Sequence, residues 1–318
     1  MPSVRSALPV AAVLAAALTL GGCGGTSSTS SGADPLAKVT VSGTDAKKAP
    51  SVSLGKTPLS VTKTSSRVVT EGTGATVTQT DLVSINALII DGTSGKVATS
   101  TWESSPVGLD LGAATLFASL KTQLPGKKIG SRVLVASPPA DAFGTQGNTT
   151  LGIGGTDTVV FLVDILSTTK PLSVAGGTAV APKKGLPVVT FTDGKAATIT
   201  MPKGAKPPTK LVVQPLITGS GDKVAAGRTV RVTYTGALWK NGKVFDASAD
   251  HSDQKYFEFA VGQGQVIPGW DKGVIGQPVG SRLLLVVPPA QGYGMAGNPP
   301  TISGTDTLVF VVDILAAY

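Results

Sequence analysis

Short runs in which apolar and polar side chains alternate, broken by glycine- and proline-rich turns, fill most of this chain. From Arg228 to Trp239, and over Lys210 to Val213, apolar residues recur at every second position, the period of a half-buried strand. Arg282 to Val287 is continuously apolar after its arginine and stops at Pro288-Pro289, which predicts a strand closed by a turn. Leu308 to Leu315 predicts another, with Asp313 expected to point to solvent or to a neighbouring backbone. Asn241-Gly242, between Leu238 and Val244, is a two-residue hairpin signal. A short helix is expected from Pro268, a favoured first-turn residue, with Trp270 and Val274 on one face. Leu116, Leu120 and Leu124 predict a helical core stripe in the other half. A mostly antiparallel sheet holding one short helix is an α+β arrangement.

The pattern occurs twice. Gly130-Ser131-Arg132 and Pro138-Pro139-Ala140 return as Gly280-Ser281-Arg282 and Pro288-Pro289-Ala290, 150 residues later. Gly155-Thr156-Asp157-Thr158 and Asp164-Ile165-Leu166 return as Gly304-Thr305-Asp306-Thr307 and Asp313-Ile314-Leu315, 149 residues later. A solenoid repeats every 20–50 residues or so, so this spacing means two tandem domains, each large enough for its own core. The expected boundaries are an export signal at 1–22, a tether at 23–35, domains at 36–168 and 185–318, and a Gly/Thr/Ala/Pro/Lys-rich linker at 169–184.

Composition sharpens this. Forty glycines, 22 prolines and 5% aromatics favour turns and short strands over long helices. The net charge of +8 is scattered, and its longest runs are pairs such as Lys127-Lys128, so no nucleic-acid partner is implied. The apolar stretch Leu8 to Leu20 is short for a membrane span and ends in small residues, as an export signal does. Leu20-Gly21-Gly22-Cys23 resembles a bacterial lipobox, which implies lipidation at Cys23 and attachment to a membrane of the cell envelope on its extracytoplasmic side. Cys23 is the single cysteine, so no disulfide framework exists. The single histidine, His251, lies in a polar turn and reads as a solvated loop residue, and no metal or cofactor motif stands out.

Val232-Thr233-Tyr234-Thr235-Gly236, Gly242-Lys243-Val244-Phe245-Asp246, Val266-Ile267-Pro268-Gly269-Trp270, Tyr293-Gly294 and Leu308-Val309-Phe310-Val311-Val312-Asp313 follow one another in the second copy. In order and spacing this set resembles the FKBP-type peptidyl-prolyl cis–trans isomerases. The resemblance implies a bent antiparallel sheet wrapped around one short helix, in two tandem copies, and an aromatic cup that takes a proline ring. It implies Trp270 as floor, Tyr234, Phe245, Phe257 and Phe310 as walls, and Val266 and Ile267 along the side, with the Ile267 N–H holding a substrate carbonyl. Tyr293 would offer its hydroxyl to the amide, Asp246 would orient the polar edge near Tyr234, and Ile302 would lie on a flap. Plain core roles for Phe310 and Val266, and a turn-capping role for Asp246, stay open beside these.

No cofactor is implied. The partners implied are proline-containing polypeptides, macrolide inhibitors of the family, and a membrane through the lipid anchor. The expected function is prolyl isomerisation by an envelope-anchored folding factor; the alternative is a protein-binding module or chaperone whose isomerase activity is incidental. With the repeated motifs superposed, the first copy places Ile85, Ala98, Thr99, Val107, Leu120 and Phe143 opposite Tyr234, Phe245, Asp246, Phe257, Trp270 and Tyr293. It is therefore expected to be inactive.

Overall fold

The structure, a computed structural model, describes residues 34–45, 47–252 and 254–318. The expected signal at 1–22, Cys23, and all but the last two residues of the expected tether lie outside the described residues. The chain divides into two compact units, Met1–Thr169 and Lys170–Tyr318.

In the first unit a hairpin of β1 (Thr40–Ser42) and β2 (Ser51–Ser53) precedes six longer-range strands. These are β3 (Ser65–Thr70), β4 (Leu82–Asp91), β5 (Val97–Ser100), β6 (Val107–Asp110), β7 (Arg132–Ser137) and β8 (Val159–Thr169), with α1 (Ala118–Gln123) between β6 and β7. The sheet order is β3-β7-β8-β4-β5, with β6 also on β4, and the pairings are antiparallel. Leu120 lies within α1, whereas Leu116 and Leu124 flank it, so the expected stripe is a helix only at its centre.

The second unit repeats the plan. A hairpin of β10 (Val188–Thr190) and β11 (Thr198–Thr200) follows a short strand β9 (Gly177–Ala179). Then come β12 (Val212–Gly219), β13 (Thr229–Leu238), β14 (Val244–Ala247), β15 (Phe257–Ala260), α2 (Pro268–Val274), β16 (Arg282–Val287) and β17 (Leu308–Ala317). They order as β14-β13-β17-β16-β12-β9, with β15 on β13. The Asn241-Gly242 turn closes β13 onto β14, with the Leu238 N–H on Lys243 O and the Gly242 N–H on Leu238 O.

Both faces of this sheet are covered, which is why its inner strands read as unbroken apolar runs. Leu283, Leu285, Val287, Phe310, Val312 and Ile314 pack with Trp270 and Val274 of α2. The alternate residues Leu284, Val286, Val309 and Val311 pack with Ala197 and Ile199 of the β10–β11 hairpin region. The helix approaches closely because Gly269 has no side chain; a Cβ there would come within 2.6 Å of Val287 Cγ1. In the first unit Leu36, Val39, Leu54 and Val61 cover the corresponding back face through Leu88, Ile90, Leu134 and Leu162.

Two expectations change. Asp313 is 2% exposed and forms a two-pronged pair with Arg282, Nε–Oδ1 and Nη2–Oδ2 both 2.7 Å. A carboxylate buried in a sheet must be paired, and the arginine fork supplies two donors in plane. Asp164 pairs in the same way with Arg132. Each arginine also reaches its own hairpin segment: Arg132 Nη1 donates to Gly43 O, and the Arg282 guanidinium stacks 3.3 Å from the Phe191 ring centre. The repeated arginine and aspartate thus fasten the hairpin to the back of each sheet.

The segment 169–184, expected as a flexible linker, is tied along part of its length to the second sheet. β9 pairs with the edge strand β12, Leu172 N–H donates to Leu315 O, and Gly176 N–H donates to Gly280 O, both at 2.9 Å. The exposed β12 edge outweighs the Gly/Thr composition, because pairing satisfies backbone groups that would otherwise be left to water.

Candidate active site

The concave side of the second sheet and the start of α2 enclose a cavity of about 430 Å³. Alternation along β13 sends Tyr234 towards it and turns Thr233 and Thr235 to the opposite face. β17 contributes Phe310, β14 contributes Phe245 and Asp246, and β15 contributes Phe257. The turn into α2 brings Gly264, Gln265, Val266 and Ile267, and the helix brings Trp270. Tyr293 reaches in from the loop after β16.

Trp270 is the hub. Its ring meets Tyr234 and Phe310 at centroid distances of 5.2 Å and interplanar angles of 78° and 87°. Phe257 stands 6.2 Å away at 74°, and Phe245 closes on Phe310 at 5.7 Å and 89°. Edge-to-face pairs of this kind contribute about 0.5–1.5 kcal/mol each beyond the area they bury, so the rings hold one another upright. The Trp270 indole Nε1 is buried with no acceptor among the described residues.

Local sequence sets these positions. Pro268 fixes the first turn of α2. Asp271, one residue past the tryptophan, accepts the N–H groups of Gly262 and Gly264 at 2.9 Å, and Gln265 Oε1 accepts that of Ala260. The loop carrying Gly264 to Ile267 is thereby held to the helix. Gly236, between Tyr234 and Leu238, faces the rings; a Cβ there would come within 2.7 Å of Phe245 Cζ and 2.8 Å of Phe310 Cε1.

One edge of the cup is polar. The Tyr234 hydroxyl donates to Asp246 Oδ2 at 2.6 Å, and Asp246 Oδ1 lies 2.9 Å from His251 Nε2. Burial, then the hydrogen bond and negative charge of Asp246, push the Tyr234 phenol well above the ordinary tyrosine range. Tyr234 is therefore a neutral hydroxyl throughout the physiological range. Among the described residues no group of three His, Cys, Asp or Glu side chains is placed to hold a metal ion.

Tyr234, Phe245, Asp246, Phe257, Val266, Ile267, Trp270, Tyr293 and Phe310 all line the cavity; Ile302 does not. Ile302 is 3% exposed, packs in the core beneath the cup, and is bridged to Asn298 through both backbone directions. Phe310 and Val266 are core and cavity wall at once. His251, expected as a solvated loop residue, is exposed in its turn and also lies against Asp246. The sequence reading also missed Gly264 and Gln265, and Phe259, which supports Trp270 from behind at 5.8 Å. The run Phe257-Glu258-Phe259 carried that signal, since alternation puts both rings on one side.

Strand register corrects the comparison of the two copies. Tyr234 pairs with Val312 in a ladder where Arg282 pairs with Asp313; Ala87 pairs with Val163 where Arg132 pairs with Asp164. The position matching Tyr234 is thus Ala87, and Ile85 matches Val232. Side-chain bonds agree: Ser248 Oγ accepts the Tyr234 N–H, and Thr101 Oγ1 accepts the Ala87 N–H. By the same ladders Ile89 takes the place of Gly236, and Ala98 and Thr99 those of Phe245 and Asp246. Ile89 is 2% exposed and Phe117, just before α1, is 1% exposed, packed on Phe143 at 4.9 Å and on Phe161 at 5.4 Å. In the first unit, side chains fill the space that the second unit leaves open.

Comparison with known proteins adds the following. The profile of the FKBP-type peptidyl-prolyl cis-trans isomerases matches residues 74–166 and 221–315. The chain is 40% identical over 114 residues to an FK506-binding protein of Streptomyces anulatus, covering 36% of this chain and 90% of that protein. It is 40% identical over 127 residues to FK506-binding protein 2 of Dictyostelium discoideum, covering 37% and 89%. It is 47% identical over 90 residues to peptidyl-prolyl cis-trans isomerase FKBP15-2 of Arabidopsis thaliana, covering 28% and 53%, so it spans about half the length of that relative.

Proposed function

Because the chain belongs to the FKBP-type peptidyl-prolyl cis-trans isomerase family, we propose that the cup of its second unit catalyses rotation about X-Pro bonds in polypeptide clients, and that the first unit does not. The observation that carries this reading is the open cavity floored by Trp270 and walled by Tyr234, Phe245, Phe257 and Phe310, set against the filled equivalent around Phe117 and Ile89.

Rotation about a prolyl bond breaks no covalent bond and must overcome about 18–20 kcal/mol of amide resonance. The planar amide is strongly dipolar, whereas the twisted transition state has lost much of that charge separation. A cavity that excludes water and offers aromatic faces destabilises the planar form relative to the twisted one, which is differential binding of the transition state. Each ~1.4 kcal/mol gained in this way is a factor of ten in rate. In this account the proline ring sits on Trp270, the Ile267 N–H holds a substrate carbonyl, and the Tyr234 and Tyr293 hydroxyls face the amide edge. FK506-type macrolides would compete for the same cup, as the names of two of its relatives suggest.

Leu20-Gly21-Gly22-Cys23 supports a lipid-anchored placement in the cell envelope, where such a factor would meet exported chains. Among the described residues no helix is long and apolar enough to cross a membrane. The reading of the protein as a binding module with incidental catalysis is favoured by one feature, the retention of the whole scaffold around a filled cup in the first unit.

The test is the cis–trans exchange rate of a Leu-Pro peptide with the full chain, measured by line-shape or exchange NMR. Acceleration abolished by an FK506-type macrolide is expected. Exchange at the uncatalysed rate at micromolar protein would refute the enzymatic reading and leave the binding module.

A further inference from the structure

His251 is the one histidine of the chain, and it completes a line of hydrogen bonds from the cup wall to solvent. Its ring edge also meets Tyr234, centroids 6.3 Å apart at 79°. The imidazole and the Asp246 carboxylate are nearly half exposed, 45% and 41%. Against an ionised carboxylate, which only accepts hydrogen bonds, Nε2 is the donor, and Nδ1 is the site left for a second proton.

The charge inventory makes that proton consequential. Among the described residues lining the cavity, Asp246 is the one acidic side chain, and no lysine or arginine lines it. Among the described residues, the groups that face His251 are Asp246 on β14 and Tyr234 on β13, and Asp253 of the same turn lies outside the described residues. On its own turn, exposed Asp250 precedes it, and Lys255 follows, lining a separate cavity on the opposite face of the sheet. Glu258 on β15 is engaged by Arg231 and by the Tyr318 hydroxyl. With a neutral imidazole, the Asp246 charge is not compensated by His251; with a cationic one, the pair is neutral.

We infer that His251 is a pH-dependent specificity determinant of the cup, setting through Asp246 how strongly charged residues flanking the proline are selected. The inference rests on the function proposed above. Histidine changes charge between about pH 5 and 8. On the alkaline side, Asp246 attracts a lysine or arginine beside the proline and repels a glutamate or aspartate. On the acid side, the ion pair with His251 cancels both effects. Water and salt screen a half-exposed pair, so the change in preference is roughly three- to fivefold, not orders of magnitude.

The test uses the full chain and two peptides with Lys or Glu flanking a Leu-Pro pair, at pH 5.5 and 8.0. The ratio of kcat/KM for the Lys peptide to that for the Glu peptide is expected to fall about three- to fivefold from pH 8.0 to 5.5. His251→Gln, which keeps a donor without the charge, holds the ratio at its alkaline value at both pH values. His251→Arg, with a permanent charge, holds it at the acid value. Binding of the same peptides by calorimetry gives the ratio independently of turnover: unaltered exchange rates with a pH-dependent binding ratio would overturn the isomerase reading alone. A ratio in the wild type that does not vary with pH, or that varies equally in His251→Gln, overturns the role of His251.

Discussion

Tyr234 on β13 donates its phenolic proton to Asp246 on β14 across 2.6 Å, two ladder positions from the Gly236–Asp246 pair that brings the strands together. Because burial and Asp246 raise the phenol, the folded state holds that proton more tightly than the unfolded chain does. The stability so contributed is fully present below the ordinary tyrosine value of about 10 and is lost as pH rises through the folded value. Tyr234 is therefore expected to ionise late in a 295 nm titration. Tyr234→Phe removes one tyrosine equivalent from the late fraction, and Asp246→Asn brings one equivalent to lower pH. A late fraction unchanged by Tyr234→Phe assigns the shift to another tyrosine.

Gly236→Ala tests how closely the rings are held. The added methyl has no room between Phe245 and Phe310, so both rings must swing into the cup. Exchange catalysis should fall about tenfold or more, a loss of ~1.4 kcal/mol in transition-state binding, while the far-ultraviolet circular dichroism stays that of the wild type. Full activity would mean that the rings yield outwards.

Phe245→Ala and Asp246→Ala separate apolar from polar contributions. Loss of the Phe245 wall opens the cup to water and is expected to lower kcat/KM by ~10-fold or more. Loss of Asp246 leaves the Tyr234 hydroxyl without its acceptor, at about 1–3 kcal/mol of stability, but keeps the aromatic faces, so its kinetic effect is the smaller. The reverse order in a steady-state comparison would move the chemistry from the apolar cup to the polar edge.

Fragments beginning at Lys170 and at Leu186 test the edge of the second unit. The shorter one lacks β9 and the bonds from Leu172 and Gly176, and also the Ala175 N–H on Asp313. Urea denaturation should find it less stable by roughly 1–3 kcal/mol. Equal midpoints would make 170–180 the plain connector that its composition suggested.

What was legible follows from the range of the interactions involved. Alternation and turn chemistry are local, and they placed β13, β16, β17, α2 and the Asn241-Gly242 hairpin to within a few residues. The ring cluster was legible because its members sit in compact runs whose order and spacing are those of a known family. Partners fixed by long-range geometry were not legible. Asp313 finds Arg282 across the β16–β17 ladder, and 169–184 finds the β12 edge only after the sheet exists. The copy comparison failed by two residues at Tyr234, since a two-residue slip preserves the alternation and leaves the apolar pattern almost unchanged. His251 is the solvated turn residue its sequence suggested, but its contact with Asp246 was not legible, since it forms only once the strands bring the carboxylate beneath the turn.

Catalysis by the second cup alone hangs on Trp270, the floor that the first unit lacks. Trp270→Leu in the full chain places there the residue that the first unit carries at Leu120, a side chain the same scaffold already accommodates. With the first unit untouched and the fold verified by circular dichroism, Leu-Pro exchange measured by NMR should return to within a few per cent of the uncatalysed rate. A Trp270→Leu chain that remains folded and keeps half or more of the wild-type activity would contradict the assignment and place catalysis elsewhere in the molecule.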